Sequence, residues 1–294
     1  MTNSAQKFWF ADRHETSSLR FVRSGLSIVA IWYFVSHWSD INTWFATEGI
    51  LSSIRIGGFL DAADLTSDAT WRWSPLYLTG SGVALRAYLV IGIFLAIATP
   101  FTRSTRVPAI MLWLWCVWLS NRSLMVSGPE ELVLCFGLGY LAIASPKDLQ
   151  KRDLVGSESP RSLACSWTTA FSRRLLQVHT SLLIGLTGLT MLSAKIWWDG
   201  TGSVSVAAPI GRRLINITEL ITNPTIHELL THAIIILALV SPIAIWFNAT
   251  RNAAFFGLLI WCLIMAVLSS QWMYLTTLAI LLQSFRTSLL FSKD

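Results

Sequence analysis

The chain has 294 residues, of which 53% are hydrophobic and 13% charged, against roughly 25% charged in an average soluble domain. With fifteen Trp, fifteen Phe and a mean hydropathy of +0.56, it has too few polar side chains to cover a water-facing surface. A soluble enzyme, a disordered protein and a disulfide scaffold are excluded, and the composition is that of an integral membrane protein. The balance of 22 Lys+Arg against 16 Asp+Glu gives a net charge of +6. These basic residues fall in short segments between apolar stretches, and no basic run is interleaved with aromatics as a nucleic-acid groove requires. The N-terminus has no apolar core of the kind a cleavable signal carries. Cys116, Cys135, Cys165 and Cys262 show no metal or redox spacing and read as buried small apolar residues.

A membrane span needs about 20 largely apolar residues. In chain order the candidates are 21–39, 82–100, 107–125, 128–146, 175–198, 227–247, 251–270 and a short 271–285. The expectation is an all-α polytopic helical bundle of about eight transmembrane helices. Six or seven are the alternatives, because the eighth can be a tilted continuation of the seventh. The whole chain, 1–294, then forms a single transmembrane domain with an N-terminal arm at 1–20. Outer-face cap segments fall at 40–81 and 199–226, and a cytoplasmic loop at 147–172.

Basic residues test this layout, because they concentrate on the inner side. With the N-terminus inside, Lys7, Arg13, Arg20, Arg23, Arg103, Arg106, Lys147, Lys151, Arg152, Arg161, Arg173, Arg174, Arg251, Arg286 and Lys293 are inner. Arg55, Arg72, Arg122, Arg212 and Arg213 are outer. The asymmetry predicts that both termini are inside. In the first cap segment, Trp44, Trp71, Trp73 and Tyr77 suit the membrane–water interface. In the second, ITELIT before Asn223-Pro224 reads as a short helix lying on the membrane.

Ionisable groups inside spans are costly and mark the positions where function is sought. His37 reads as interfacial, and Arg86 can snorkel to the headgroups. Arg122, Glu130 and Glu131 flank the turn NRSLMVSGPEEL, where a salt-bridged turn and acids in a first helical turn explain them without chemistry. His179 lies in a polar patch with Gln177 and Thr180, and its ordinary reading is a satisfied core histidine. Glu228 and His232 share a face at i, i+4 spacing, but with no third ligand they make a weak metal signal, so no metal is expected. Lys195, in LSAKIWWDGTG, carries two readings. With Trp197 and Trp198 it forms an ordinary interface anchor, paired at i, i+4 with Asp199; desolvated, it is a candidate base.

Several segments together resemble the HTTM (horizontally transferred transmembrane) superfamily, the membrane domain shared with vitamin K-dependent gamma-carboxylases. The resemblance covers most of the chain. It rests on SLRFVRSGLSIVAIWYF, on NRSLMVSGPEELVLCFGLGYLAIASP and above all on RLLQVHTSLLIGLTGLTMLSAKIWWDGTG. The closing segments, LLTHAIIILALVSPIAIW through MYLTTLAILL, are similar to the family's last helices. In the carboxylases a lysine on the QxH helix acts with vitamin K hydroquinone to remove a proton from glutamate. Counted back from Trp197, that position is Met191 here, and Lys195 stands four residues later. Where the family carries an acid before the proline of the sixth span this chain reads LALVSP, and where it carries a histidine in the seventh this chain has Trp261 and Cys262. Acid and base groups are thinned while apolar packing is kept.

The resemblance therefore implies a non-catalytic or accessory membrane protein, a structural or assembly subunit of a larger membrane complex. Its partners are the lipid bilayer and other membrane subunits, and in a bacterial host it sits in the inner membrane. The alternative is a quinone-dependent, carboxylase-like enzyme with Lys195 as base, His179 in support, and Glu130 and Asp199 near the site. Beyond a quinone, or a lipid or pigment held by the many aromatic rings, no cofactor is implied. A transporter is disfavoured by the absence of an evident inverted repeat or a mid-membrane acid.

Overall fold

The computed structural model describes residues 8–9, 17–62, 73–102, 106–123, 127–145, 166–207 and 223–286. Among these residues the regular structure is entirely helical. Five helices are long and apolar enough to cross a membrane: Ser18–Ser36, Gly82–Phe101, Trp167–Ser193, Pro224–Ala244 and Arg251–Ser269. Their faces explain why. Leu182, Leu186 and Leu189, Ile236, Val240 and Ile243, and Phe256, Ile260 and Leu263 all recur at three- to four-residue spacing and are exposed. The opposite faces of the same helices are apolar as well. Helices apolar inside and out are stable where the surroundings are hydrocarbon, so the chain is a helical membrane protein.

The chain divides into two compact units, 23–162 and a second made of 1–22 with 163–294. Helix α1 (Ser17–Ser36) enters the first unit at Arg23 and is followed there by the short α2 (Ile41–Phe45) and by α3 (Ser53–Ala62). A 3₁₀ turn at Pro75–Leu78 leads into α4 (Gly82–Phe101), α5 (Val107–Arg122) and α6 (Pro129–Ile143). The helix starts follow local chemistry. Ser74 caps the 3₁₀ turn by accepting from the Leu76 amide, and Pro108 and Pro129 occupy first-turn positions where no intrahelical donor is needed. The α1 face Val22, Leu26, Val29, Ala30, Tyr33 and Phe34 is buried, while Phe21, Ile28, Trp32 and Val35 are exposed. Helices α1 and α4 approach closely at Gly92, where an added Cβ would lie 2.7 Å from the Phe34 ring. Tyr88 of α4 stacks on Trp115 of α5 at 4.8 Å between ring centres, and each side chain bonds the other's backbone carbonyl.

In the second unit, α7 (Trp167–Ser193) is followed by two short turns of helix, α8 (Lys195–Trp198) and α9 (Gly202–Ser205). Then come α10 (Pro224–Ala244), α11 (Arg251–Ser269), α12 (Trp272–Leu282) and a closing 3₁₀ turn, Gln283–Phe285. Asn223 caps α10, its Oδ1 accepting from the Thr225 amide at 3.0 Å, with Pro224 at the first helical position. Helix α7 spans 27 residues, about 40 Å at the α-helical rise, more than the hydrocarbon thickness alone. Its start is tied to the closing turn: Arg173 Nε and Gln177 Nε2 both donate to the Ser284 carbonyl, at 3.0 and 2.8 Å.

The observed helices refine the expected spans at several points. The expected third and fourth spans are helices of 16 and 15 residues, about 24 and 22 Å long. With the 14-residue stretch Trp272–Phe285 they fall short of the five full-length candidates. The eighth segment is a helix of its own, set off from α11 by Ser270 in the left-handed region at φ 56°. The loop expected at 147–172 ends sooner, because Ser166 caps a helix that already begins at Trp167. The expected arm 1–20 is likewise shortened by α1, which starts at Ser17. The expected interfacial helix ITELIT and the interface residue Trp71 lie outside the described residues.

Candidate functional site

Buried polar atoms without a protein partner concentrate at one end of the 23–162 unit. Tyr33 Oη, Asn42 Oδ1, Arg122 Nε and Nη1, and Glu131 Oε2 are all enclosed and unpartnered among the described residues. The chain path brings them together: Tyr33 is near the end of α1, Asn42 in α2, Arg122 the last residue of α5 and Glu131 in the first turn of α6.

Arg122 is the cation at this end of the unit. It is fully buried, at 0% exposure. Its guanidinium carbon lies 4.8 Å from the centre of the Tyr77 ring and 5.2 Å from that of Phe45. Nη2 donates to the Phe45 carbonyl at 3.4 Å. The electron-rich ring faces stabilise a desolvated cation. Burial pushes the Tyr77 hydroxyl above its ordinary value while the Arg122 charge pulls it back down, so the phenol remains a neutral donor. It gives its proton to the Asn121 carbonyl at 3.1 Å.

The two carboxylates of the turn do not serve this cation. Glu131 is buried and sits against the Ser127 hydroxyl and the Gly128 backbone N–H at the start of its own helix. Glu130 folds back over Gly128, where an added Cβ would meet its carboxylate at 2.3 Å. The salt-bridged turn expected from the sequence is therefore replaced by an aromatic cradle around the arginine. The turn itself is tied by Ser127, whose hydroxyl donates to the Ser120 and Ser123 carbonyls at 3.2 and 3.0 Å. Tyr33 has Glu131, Cys135, Cys116 and Tyr88 within electrostatic reach, and its ring packs edge-on against His37 at 4.8 Å.

The residues expected to carry chemistry are scattered by comparison. Helix α7 stops at Ser193, Ala194 is extended, and Lys195 opens a separate short turn. Lys195 is exposed, and it meets Asp199 through the backbone, the Asp199 amide donating to its carbonyl at 3.0 Å. His179 is half-buried in the middle of α7. His232 bonds the Glu228 carbonyl through Nδ1 at 2.8 Å, and Glu228 itself is exposed. No group of three or more potential ligands for a metal ion occurs among the described residues. Arg86 is exposed.

The aromatic anchors divide. Trp73 and Trp198 are exposed, at 52% and 62%, and Trp198 donates to the Leu192 carbonyl at 2.7 Å. Trp197 is buried instead, its ring packed on Gly202. Met191 is buried and apolar.

Sequence reasoning passed over Tyr33, Asn42, Phe45 and Arg23. Arg23 is buried in α1, and its Nη2 donates to the carbonyls of Thr99 and Thr102 and to the Thr102 hydroxyl, closing the C-terminal end of α4. A basic residue one turn inside an apolar stretch was the available signal. No protein-family model matches the chain, and neither a curated protein nor a solved structure matches it.

Proposed function

We propose that the chain is a non-catalytic, accessory membrane protein, a structural or assembly subunit of a larger membrane complex built on a divergent HTTM-like scaffold. In this reading eight segments cross the bilayer, the three short helices included, with both termini on the inner side. The observation that carries it is the position of Lys195. About 21 Å of helix separates His179 from the end of α7 at Ser193, and Lys195 lies beyond the break and is exposed. A proton-abstracting lysine needs desolvation and a matched partner at hydrogen-bond range. An exposed lysine beside an exposed Trp198 has the surroundings of an interface anchor. The apolar outward faces of α7, α10 and α11 supply the surface that lipids and neighbouring subunits would cover.

Gentle purification from native membranes with mass spectrometry of everything retained tests this. A stoichiometric set of co-purifying membrane proteins is the expected result. A monodisperse lone protein carrying a quinone, with quinone-dependent turnover abolished by Lys195→Ala, would replace this reading with the carboxylase-like one. Labelling of single cysteines introduced at 40–52 and at 248–250 checks the orientation: the first set reacts from outside and the second from inside.

A further inference from the structure

We propose that Arg122 is the cation of an occluded binding site for one small monovalent anion of the chloride class. Four observations lead there. The guanidinium is fully buried. It is held by two aromatic rings, the Phe45 carbonyl and the hydroxyl of Tyr77, and none of these carries the full negative charge that a cation removed from water requires. Neither Glu130 nor Glu131 is brought to Arg122: Glu131 sits against Ser127 and Gly128, and Glu130 folds over Gly128. Finally, Nε and Nη1 are enclosed and donate to no protein acceptor among the described residues.

The chemistry of the surroundings selects the ligand. Guanidinium N–H groups favour anions over neutral acceptors because charge-assisted bonds are roughly twice as strong. A phosphate-type oxyanion would bring several acceptor oxygens to a cation that offers two unpartnered guanidinium nitrogens. A halide needs few donors and tolerates contact with ring edges, which carry the positive part of the aromatic quadrupole. A single bound halide neutralises Arg122 and leaves the aromatic cradle in place. This site is independent of whether the chain is a subunit or an enzyme.

The test is thermal unfolding of the purified full-length protein in sodium chloride against sodium gluconate at constant ionic strength. Binding to the folded state alone raises Tm with ligand concentration. The expected result is a saturable rise of roughly a few °C per tenfold increase in chloride above half-saturation. Bromide should reproduce it, and Arg122→Met should show no dependence. Equal Tm in chloride and gluconate, a linear non-saturating trend, or a chloride effect that persists in Arg122→Met would each overturn the proposal. Should Arg122→Met fail to fold, chloride NMR on the unaltered protein decides: line broadening relieved by bromide supports the site, and its absence overturns it.

Discussion

The Tyr77 hydroxyl donates to the carbonyl of Asn121 while its ring carries the guanidinium of Arg122, the next residue along the chain. One side chain thus both closes the last turn of α5 and solvates its buried cation. Removing the hydroxyl and removing the ring should therefore have separable costs. Tyr77→Phe is expected to lose about 1 kcal/mol, the net value of a typical hydrogen bond. Tyr77→Leu should lose about 1–2 kcal/mol more, because the cation loses a ring face in a desolvated setting. Thermal unfolding of both variants in detergent checks this; equal losses would mean that the ring contact contributes nothing.

Arg23 illustrates a charge that stabilises from inside a span. Its guanidinium meets the last carbonyls of α4, where the helix dipole and unsatisfied acceptors favour a cation. Arg23→Met should destabilise by about 2–3 kcal/mol, since charged hydrogen bonds are lost and buried carbonyls are stranded. Arg23→Lys should recover part of this and no more, because an ammonium lacks the planar fork that reaches Thr99 and Thr102 together. Full rescue by lysine, read as Tm or as folded yield, would show that charge alone matters there.

Much of the scaffold was legible in the sequence, for reasons these residues make plain. Pro129 and the pair Asn223-Pro224 mark helix starts through missing donors and a capping amide, both local effects. The apolar runs that became α4, α10 and α11 follow from composition within each segment. What escaped depends on partners distant in the chain. Ser193, Ala194 and Lys195 carry no glycine or proline, and Ala and Lys favour helix, so the break after α7 is invisible to propensity. It coincides with Trp198 bonding back to Leu192 and Trp197 packing on Gly202. Likewise, Glu130 and Glu131 stand eight and nine residues from Arg122, whereas its actual contacts, Phe45 and Tyr77, come from 77 and 45 positions earlier. Charge complementarity pointed to the near residues and tertiary packing supplied the far ones.

The close approach of α1 and α4 gives a steric prediction. At Gly92 a Cβ would stand 2.7 Å from Cζ of Phe34 and 2.8 Å from two further ring atoms, and Phe34 is fully buried. Gly92→Val should destabilise by about 1–3 kcal/mol through overpacking, despite its apolar character. Because the clash is with one ring, Phe34→Leu should relieve part of it. A double-mutant cycle in Tm is expected to show a coupling of about 1 kcal/mol or more, the scale for residues in contact. Additive losses would mean that the two helices accommodate the valine by moving apart.

Thr231 supports a different prediction, in the unit that contains α7 and α10. Its Oγ1 accepts from the Ser203 amide at 3.0 Å, and its proton is available to the carbonyl of Gly200, at 2.9 Å, or of His227, at 2.8 Å. It therefore holds the turn after α8 against the first half of α10. Ser203 Oγ adds a bond to the His227 carbonyl at 3.3 Å, and Gly200 has φ +75°, a left-handed conformation, where a Cβ would meet Glu228 at 2.7 Å. Thr231→Val keeps volume and removes the hydroxyl, leaving the buried Ser203 amide unsatisfied, so a loss of about 1–3 kcal/mol is expected. Thr231→Ser should retain most of the stability. Hydrogen exchange separates this from a general packing defect: amides near Ser203 should lose protection in the valine variant while those in the middle of α11 keep theirs. Uniform loss across both regions would show that the hydroxyl supports the whole unit rather than this turn.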